Sequence, residues 1–203
     1  MNEREILAEV KRCIDIEATS IQSLANSLDE QTMLRVANAI AACKGKIIVT
    51  GCGTSAMAAK KIAHSLNCIE RPALFLAPSD AVHGGLGVVQ KEDIVIIISK
   101  GGGTEELVKL LPACQAKKAL IIGVSENPAS VLANHSDIYL KIKVEKEPCR
   151  FNMLATASTL AVIATFDAIC IALMQMMNYT KEQFALIHPS GAVGDRLLGK
   201  VKE

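Results

Sequence analysis

Residues 46–56 read Lys46-Ile47-Ile48-Val49-Thr50-Gly51-Cys52-Gly53-Thr54-Ser55-Ala56, and residues 94–106 read Ile94-Val95-Ile96-Ile97-Ile98-Ser99-Lys100-Gly101-Gly102-Gly103-Thr104-Glu105-Glu106. In each, a run of β-branched apolar residues breaks at a glycine-rich turn that opens a helix. A short, continuous apolar run suits a strand covered on both faces, as in a parallel sheet. Glycine lets the backbone approach an anion closely. Hydroxyls and free N–H groups at a helix start then supply donors, aided by the positive end of the helix dipole. A tight strand-to-helix turn needs glycine for steric reasons alone, so one such loop says little. Two of them, both carrying Ser or Thr, point to something phosphorylated at the carboxyl edge of the sheet.

Neither loop is a nucleotide motif. A Walker loop needs Gly-Lys-[Ser/Thr] after four intervening residues, and residues 101–104 lack that lysine. The dinucleotide fingerprint accepts Ala56 in place of its third glycine, but it also needs a ribose-binding acid after the next strand. That strand, residues 73–77, ends in Pro78-Ser79-Asp80, where Asp80 is expected to cap the short turn that follows. A Rossmann cofactor is the minority reading, and no cofactor is expected.

Of the 203 residues, 50% are apolar, enough for one globular domain with ample core. A formal charge of +1 with scattered Lys and Arg gives no reason to expect nucleic acid or a charged membrane surface. Aromatic residues make up 3% of the chain and Trp is missing, so stacking platforms for bases are not expected. Seven cysteines, without a C-x-x-C pair or a His/Cys metal spacing, read as reduced, mostly buried thiols of a cytoplasmic protein that holds no metal. Residues 1–5 are too charged for a signal peptide. Residues 153–177 are apolar enough to suggest a membrane span. Thr156, Ser158, Thr159, Thr165, Asp167 and Gln175 interrupt them, however, and no basic belt flanks the far end. A core or subunit-interface helix is expected instead.

Ahead of the first strand, Ile6, Leu7, Val10, Ile14, Ile21 and Leu24 recur at helical spacing, and Asp29-Glu30 opens a second helix that Gly45 ends. Strands at 46–50, 73–77, 93–98, 119–124 and 138–142 then alternate with helices at 54–68 and 104–117 and a short one at 128–133. Such alternation means right-handed crossovers. The fold class is therefore α/β: a three-layer, flavodoxin-like sandwich around a five-stranded parallel sheet. Both glycine loops would lie beyond the carboxyl ends of the strands, where such sheets bind ligands. After Ile142 a charged loop over 143–150 leads to the long helix, then to His188-Pro189-Ser190-Gly191 and a last short helix. One domain is expected, with N-terminal helices over 1–44, an α/β core over 45–150 and C-terminal helices over 151–203.

Gly51-Cys52-Gly53-Thr54-Ser55, Ala81-Val82-His83-Gly84-Gly85-Leu86-Gly87, residues 99–106, Lys146-Glu147-Pro148-Cys149 and residues 184–194 carry a resemblance that covers nearly the whole chain. The chain resembles the sugar isomerase (SIS) phosphosugar-binding fold and, within it, the arabinose-5-phosphate isomerases. Those enzymes often continue into a paired regulatory CBS domain, and a chain ending at Glu203 looks like the stand-alone form. The resemblance implies aldose–ketose isomerisation, foremost of arabinose 5-phosphate and ribulose 5-phosphate. A base takes the C2 proton, a cis-enediol forms, and the proton returns at C1 while an acid serves the oxygens. Four residues fall on the family's catalytic positions. Glu147 is expected as the carbon base and His188 as the group for ring opening and oxygen protonation, with Glu106 and His83 orienting the chain and tuning pKa values. Ser55, Ser99 and Thr104, with the backbone around Gly53, Thr54, Gly101 and Gly102, would hold the phosphate. A homo-oligomer, dimer or tetramer, with shared sites is also implied.

The chain departs from that pattern in places. Thr54 stands where those isomerases carry a lysine, and Gly-Thr-Ser there resembles the isomerase half of glucosamine-6-phosphate synthase. Gly85 replaces their Asp after His-Gly, and Gly101-Gly102-Gly103 their Ser-Gly-Glu. Lys100 is expected either to restore the lost charge from the other side of the phosphate or to face solvent on a loop. Plainer local reasons also exist. Glu106 suits the first turn of a helix through the dipole, Ser55 and Thr104 suit helix starts, and Glu147 belongs to the charged run Glu145-Lys146-Glu147. Two rival functions stay open: a non-catalytic phosphosugar sensor, and a 6-phospho-3-hexuloisomerase.

Overall fold

A computed structural model describes residues 1–27, 29–191 and 194–195. In chain order, α1 (Glu3–Ser27) and α2 (Glu30–Ala42) precede β1 (Ile47–Gly51), and α3 (Thr54–Asn67) leads to β2 (Ala73–Phe75). One-turn α4 (Pro78–Ala81) and a 3-10 turn (Gly85–Val88) lead to β3 (Ile94–Ile98). Then follow α5 (Glu105–Val108), α6 (Leu111–Ala116), β4 (Leu120–Ser125), α7 (Val131–Asn134), β5 (Ile138–Lys141), α8 (Ala157–Met176) and α9 (Lys181–Ile187).

The five strands form one sheet in the order β2-β1-β3-β4-β5, every neighbour parallel, as the alternation predicts. Because side chains alternate along a strand, each apolar run divides between two cores. Ile47, Val49, Ile94, Ile96 and Ile98 pack with α2, α3 and α8 through residues such as Ile40, Ile62 and Phe166. Ile48, Val95, Ile97 and Ile121 pack on the other face with Leu107, Leu110 and Leu132. Coverage on both sides explains why β1 and β3 are buried at every position.

The order of winding reverses between β1 and β3, which is where open α/β sheets place a ligand crevice. Gly51 pairs with Ile98 in the ladder, so both glycine loops leave the sheet side by side.

Local chemistry shifts several boundaries. The helix expected over 104–117 is two helices, α5 and α6. Pro112 has no N–H to continue the ladder, and the chain tightens ahead of it through Leu110 N–H to the Leu107 carbonyl at 3.1 Å. The short helix expected over 128–133 starts later, at Val131, because the Ser130 hydroxyl caps it by accepting from Ala133 N–H. Strand β2 ends at Phe75 rather than residue 77, since Pro78 sits in the first turn of α4. Asp80 lies inside that turn, and its backbone carbonyl accepts from His83 N–H at 3.1 Å.

The long apolar helix begins at Ala157 rather than residue 153, because the N–H groups of Met153 and Leu154 turn to Cys149 Sγ at 3.2 and 3.1 Å. α8 is long and apolar enough to cross a membrane. It buries Ala157, Ala161, Thr165, Phe166, Ile169, Cys170 and Leu173 in the protein, as a core helix does. α1 packs on α8 but buries only Leu24, leaving Leu7 and Ile14 61% and 58% exposed. The last short helix expected after Gly191 lies largely outside the described residues, as do Ala192 and Val193.

Candidate functional site

Both glycine loops take backbone shapes that suit glycine. Gly53 has φ +57° and caps α3, while Gly102 has φ +69° where a β-carbon would stand 2.2 Å from Ser130 Oγ. The second loop is laced by hydroxyls. Ser99, which is buried, accepts from Gly102 N–H at 3.2 Å and shares a hydrogen bond with Thr104 Oγ1 at 2.8 Å. Glu126 N–H donates to the Lys100 carbonyl at 2.9 Å and Leu132 N–H to the Gly102 carbonyl at 3.0 Å, tying the loop to β4 and α7.

A cavity of about 80 Å³ lies between these loops and the start of α8, lined by Thr54, Ser55, Lys100, Ser125, Glu126 and Ser158 among others. Larger concavities lie elsewhere: two of about 670 Å³, one between α1 and residues 143–146 and the other near the amino end of the sheet, and one of about 560 Å³ between Arg12 and the 146–152 loop. Chemistry favours the small one, because the glycine loops, opposed charges and several hydroxyls converge there.

Glu147 is 2% exposed, although the sequence sets it in a charged run. Its Oε1 takes Lys100 Nζ at 2.6 Å and a short hydrogen bond from Ser158 Oγ. Its Oε2 accepts the N–H groups of Thr156 at 3.0 Å and Ser158 at 3.4 Å, so the carboxylate caps the positive end of α8. Asn152 Oδ1 accepts the Glu147 N–H at 2.6 Å and holds the loop beneath it. Burial pushes this carboxyl up, but Lys100, Ser158 and Thr156 together outweigh it and hold the group below the usual carboxylate range. Lys100, its side chain 39% exposed, binds Glu147 and lines the cavity.

The other expected site residues lie apart. Glu106 is exposed in the first turn of α5, on the opposite layer from α8, and its charge reaches Cys52 in the first loop. His83 is exposed after α4, which packs against α5. His188 caps the carboxyl end of α9, stacked on Phe184 at 4.0 Å with Nδ1 2.9 Å from the Phe184 carbonyl. α9 is anchored at the amino end of the sheet, where Gln183 donates to Glu70 at 3.4 Å. α8 separates that end from Glu147, and its 20 residues span about 30 Å. Within one protomer, therefore, Thr54, Ser55, Lys100 and Glu147 come together at the cavity and its wall, whereas His188 ends α9, which follows the far end of α8. Among the described residues, no group of three or more His, Cys, Asp or Glu is arranged to hold a metal ion.

Sequence reading missed Glu126 and Ser158. The signal for Glu126 was its place directly after a strand at the ligand edge. For Ser158 it was a hydroxyl in the first turn of a helix that starts near a buried acid.

Comparison with known proteins gives one consistent result. Residues 39–172 match the family described as SIS domain. The KdsD protein of Yersinia pestis, named an arabinose 5-phosphate isomerase, is 36% identical over 193 residues, covering 95% of this chain and 58% of that protein. The chain thus spans about three fifths of such curated relatives. A Listeria monocytogenes protein described as a candidate sugar-phosphate isomerase superposes with TM-score 0.93 at 57% identity, covering 94% of this chain and 100% of its own. A protein of Escherichia coli CFT073, solved in complex with arabinose 5-phosphate, superposes with TM-score 0.89 at 28% identity, covering 93% and 100%.

Proposed function

This chain belongs to the SIS domain family, and on that premise we propose that it is a sugar-phosphate aldose–ketose isomerase that interconverts arabinose 5-phosphate and ribulose 5-phosphate. The observation that carries the reading is Glu147, a buried carboxylate held ionised by Lys100, Ser158 and the start of α8 beside two glycine loops. The phosphate binds the hydroxyls of Ser55, Ser99 and Thr104, the free N–H groups of the loops, and Lys100. Glu147 takes the proton from C2, a cis-enediol forms, and the proton is returned to C1. Positioned carboxylate bases contribute about 10²–10⁴-fold to such proton transfers.

Glu106 and His83 approach from the α4–α5 side. His188 serves the site of a second copy, because its own Glu147 lies at the far end of α8. A homo-oligomer follows, and the exposed row Leu7, Val10, Ile14 and Ile21 on α1 supports self-association. Seven free thiols suit the reducing cytoplasm.

The test is conversion of arabinose 5-phosphate, other pentose phosphates and hexulose 6-phosphates, with exchange of the C2 proton followed in heavy water. Turnover of arabinose 5-phosphate that falls at least about 10²-fold in Glu147→Gln is expected. Turnover of a hexulose 6-phosphate instead would reassign the substrate. Binding without turnover on every substrate would make the chain a phosphosugar sensor. That second reading draws on Thr54 in place of the family's lysine and on a Glu147 carboxylate already filled by four donors.

A further inference from the structure

The cavity holds a second carboxylate that the isomerisation above does not use. Glu126 follows Ser125 at the end of β4, and its Oε1 is buried without a hydrogen-bond partner. Lys100 Nζ stands 3.9 Å from that oxygen and 2.6 Å from Glu147 Oε1. One ammonium therefore faces two carboxylates, and the trio is already net negative before a phosphate dianion joins it.

The two acids differ in their surroundings. Glu147 has four donors and stays ionised easily. Burial pushes Glu126 above the usual carboxylate range against the pull of Lys100 and of Val144 N–H, and the charge of Glu147 pushes the same way. Lys143 favours its charged form, and Tyr139 on β5 is the remaining titratable neighbour. α3 and α8 face the cavity with the uncharged hydroxyls of Thr54, Ser55, Ser158 and Thr159.

We propose that Glu126 is the proton acceptor of the binding step: as the phosphate of a ligand settles against Lys100 and the glycine loops, Glu126 takes one proton from solvent and turns its O–H to the ligand, while Glu147 remains ionised. A bare carboxylate in that place would repel the phosphate, whereas a carboxylic acid donates to it. No other bond is made or broken. The inference rests on the reading that these loops receive a phosphate, and it requires no turnover.

The experiment is isothermal titration calorimetry of the whole chain with arabinose 5-phosphate at about pH 8, where the ester is already dianionic, in two buffers of different ionisation enthalpy. Wild type takes up a proton on binding, and between the free and bound titrations its affinity falls about tenfold per pH unit. Glu126→Gln takes up none and binds with a flat pH profile. Glu147→Gln keeps the uptake. Binding by wild type without uptake, equal uptake in Glu126→Gln, or loss of uptake in Glu147→Gln would each overturn the proposal. Failure of wild type to bind either arabinose 5-phosphate or inorganic phosphate would overturn it together with the phosphate reading. Proton-linked binding without isomerisation would remove the catalytic reading and leave this one standing.

Discussion

Asp93 closes the amino end of β3 onto that of β1 by accepting from Lys46 twice, once from its backbone N–H at 2.9 Å and once from its ammonium at 2.7 Å. Gln90 N–H adds a third donor at 2.7 Å, and the carboxylate is 2% exposed. The sheet is thus pinned at the end opposite the glycine loops, which lets those loops vary without loss of register.

Removing that carboxylate leaves two N–H groups and an ammonium without their acceptor. Asp93→Ala is expected to lower the unfolding free energy by about 3 kcal/mol, measured by urea denaturation. Burial pushes this carboxyl up, yet Lys46 and the N–H donors outweigh it and hold it below the usual range. Its contribution is therefore full above the unfolded pKa of about 4 and is lost as pH falls through the lower folded value. Wild type should lose stability in that acid window, and Asp93→Ala should show a shallower loss there.

Gly102 and Gly103 share a loop but not a constraint. A β-carbon on Gly102 meets Ser130 at 2.2 Å with φ +69°, whereas one on Gly103 meets nothing within 4 Å. Gly102→Ala should lower stability by about 2 kcal/mol and weaken binding of inorganic phosphate. Gly103→Ala should leave stability within about 0.5 kcal/mol of wild type. Equal melting temperatures for the two variants would count against the described loop.

Lys100→Met removes the cation from Glu147 with little change in bulk. Glu147 then binds its proton more tightly, so the acid limb of the kcat/KM profile should move to higher pH. Affinity for phosphosugars should fall by about tenfold, the scale of a charge-assisted hydrogen bond. An acid limb that stays in place would separate Lys100 from the ionisation of Glu147.

Leu7 and Ile14 expose apolar surface on one helix. The double variant Leu7→Glu/Ile14→Glu should sediment as a smaller species than wild type and lose isomerisation while still binding inorganic phosphate. Full activity in a monomer would refute a shared site.

Much of the fold could be read from the chain because the strands are continuous β-branched runs, a pattern that needs cover on both faces. The glycine loops were legible for the same reason, since they end those runs. Glu147 was harder. Its neighbours Glu145 and Lys146 are exposed, and only the start of α8, ten residues on, makes burial of one acid among them favourable. The break at Pro112 was visible as a residue type, but the apolar spacing around it masked the effect. The spacing in α1 identified a helix and left its burial open, because periodicity marks an apolar face without saying whether the same chain covers it.

The 20 residues of α8 act as a strut between the two groups to which the proposed isomerisation assigns its proton transfers. Glu147 sits at its head, and α9, which carries His188, follows its foot. In an assembly where each copy lends its histidine to a neighbour, a chain crippled at Glu147 still donates a sound histidine, and a chain crippled at His188 still owns a sound carboxylate. Subunits of Glu147→Gln and His188→Ala, each inert alone, would then regain turnover when unfolded and reassembled together, since some mixed sites would inherit both intact groups.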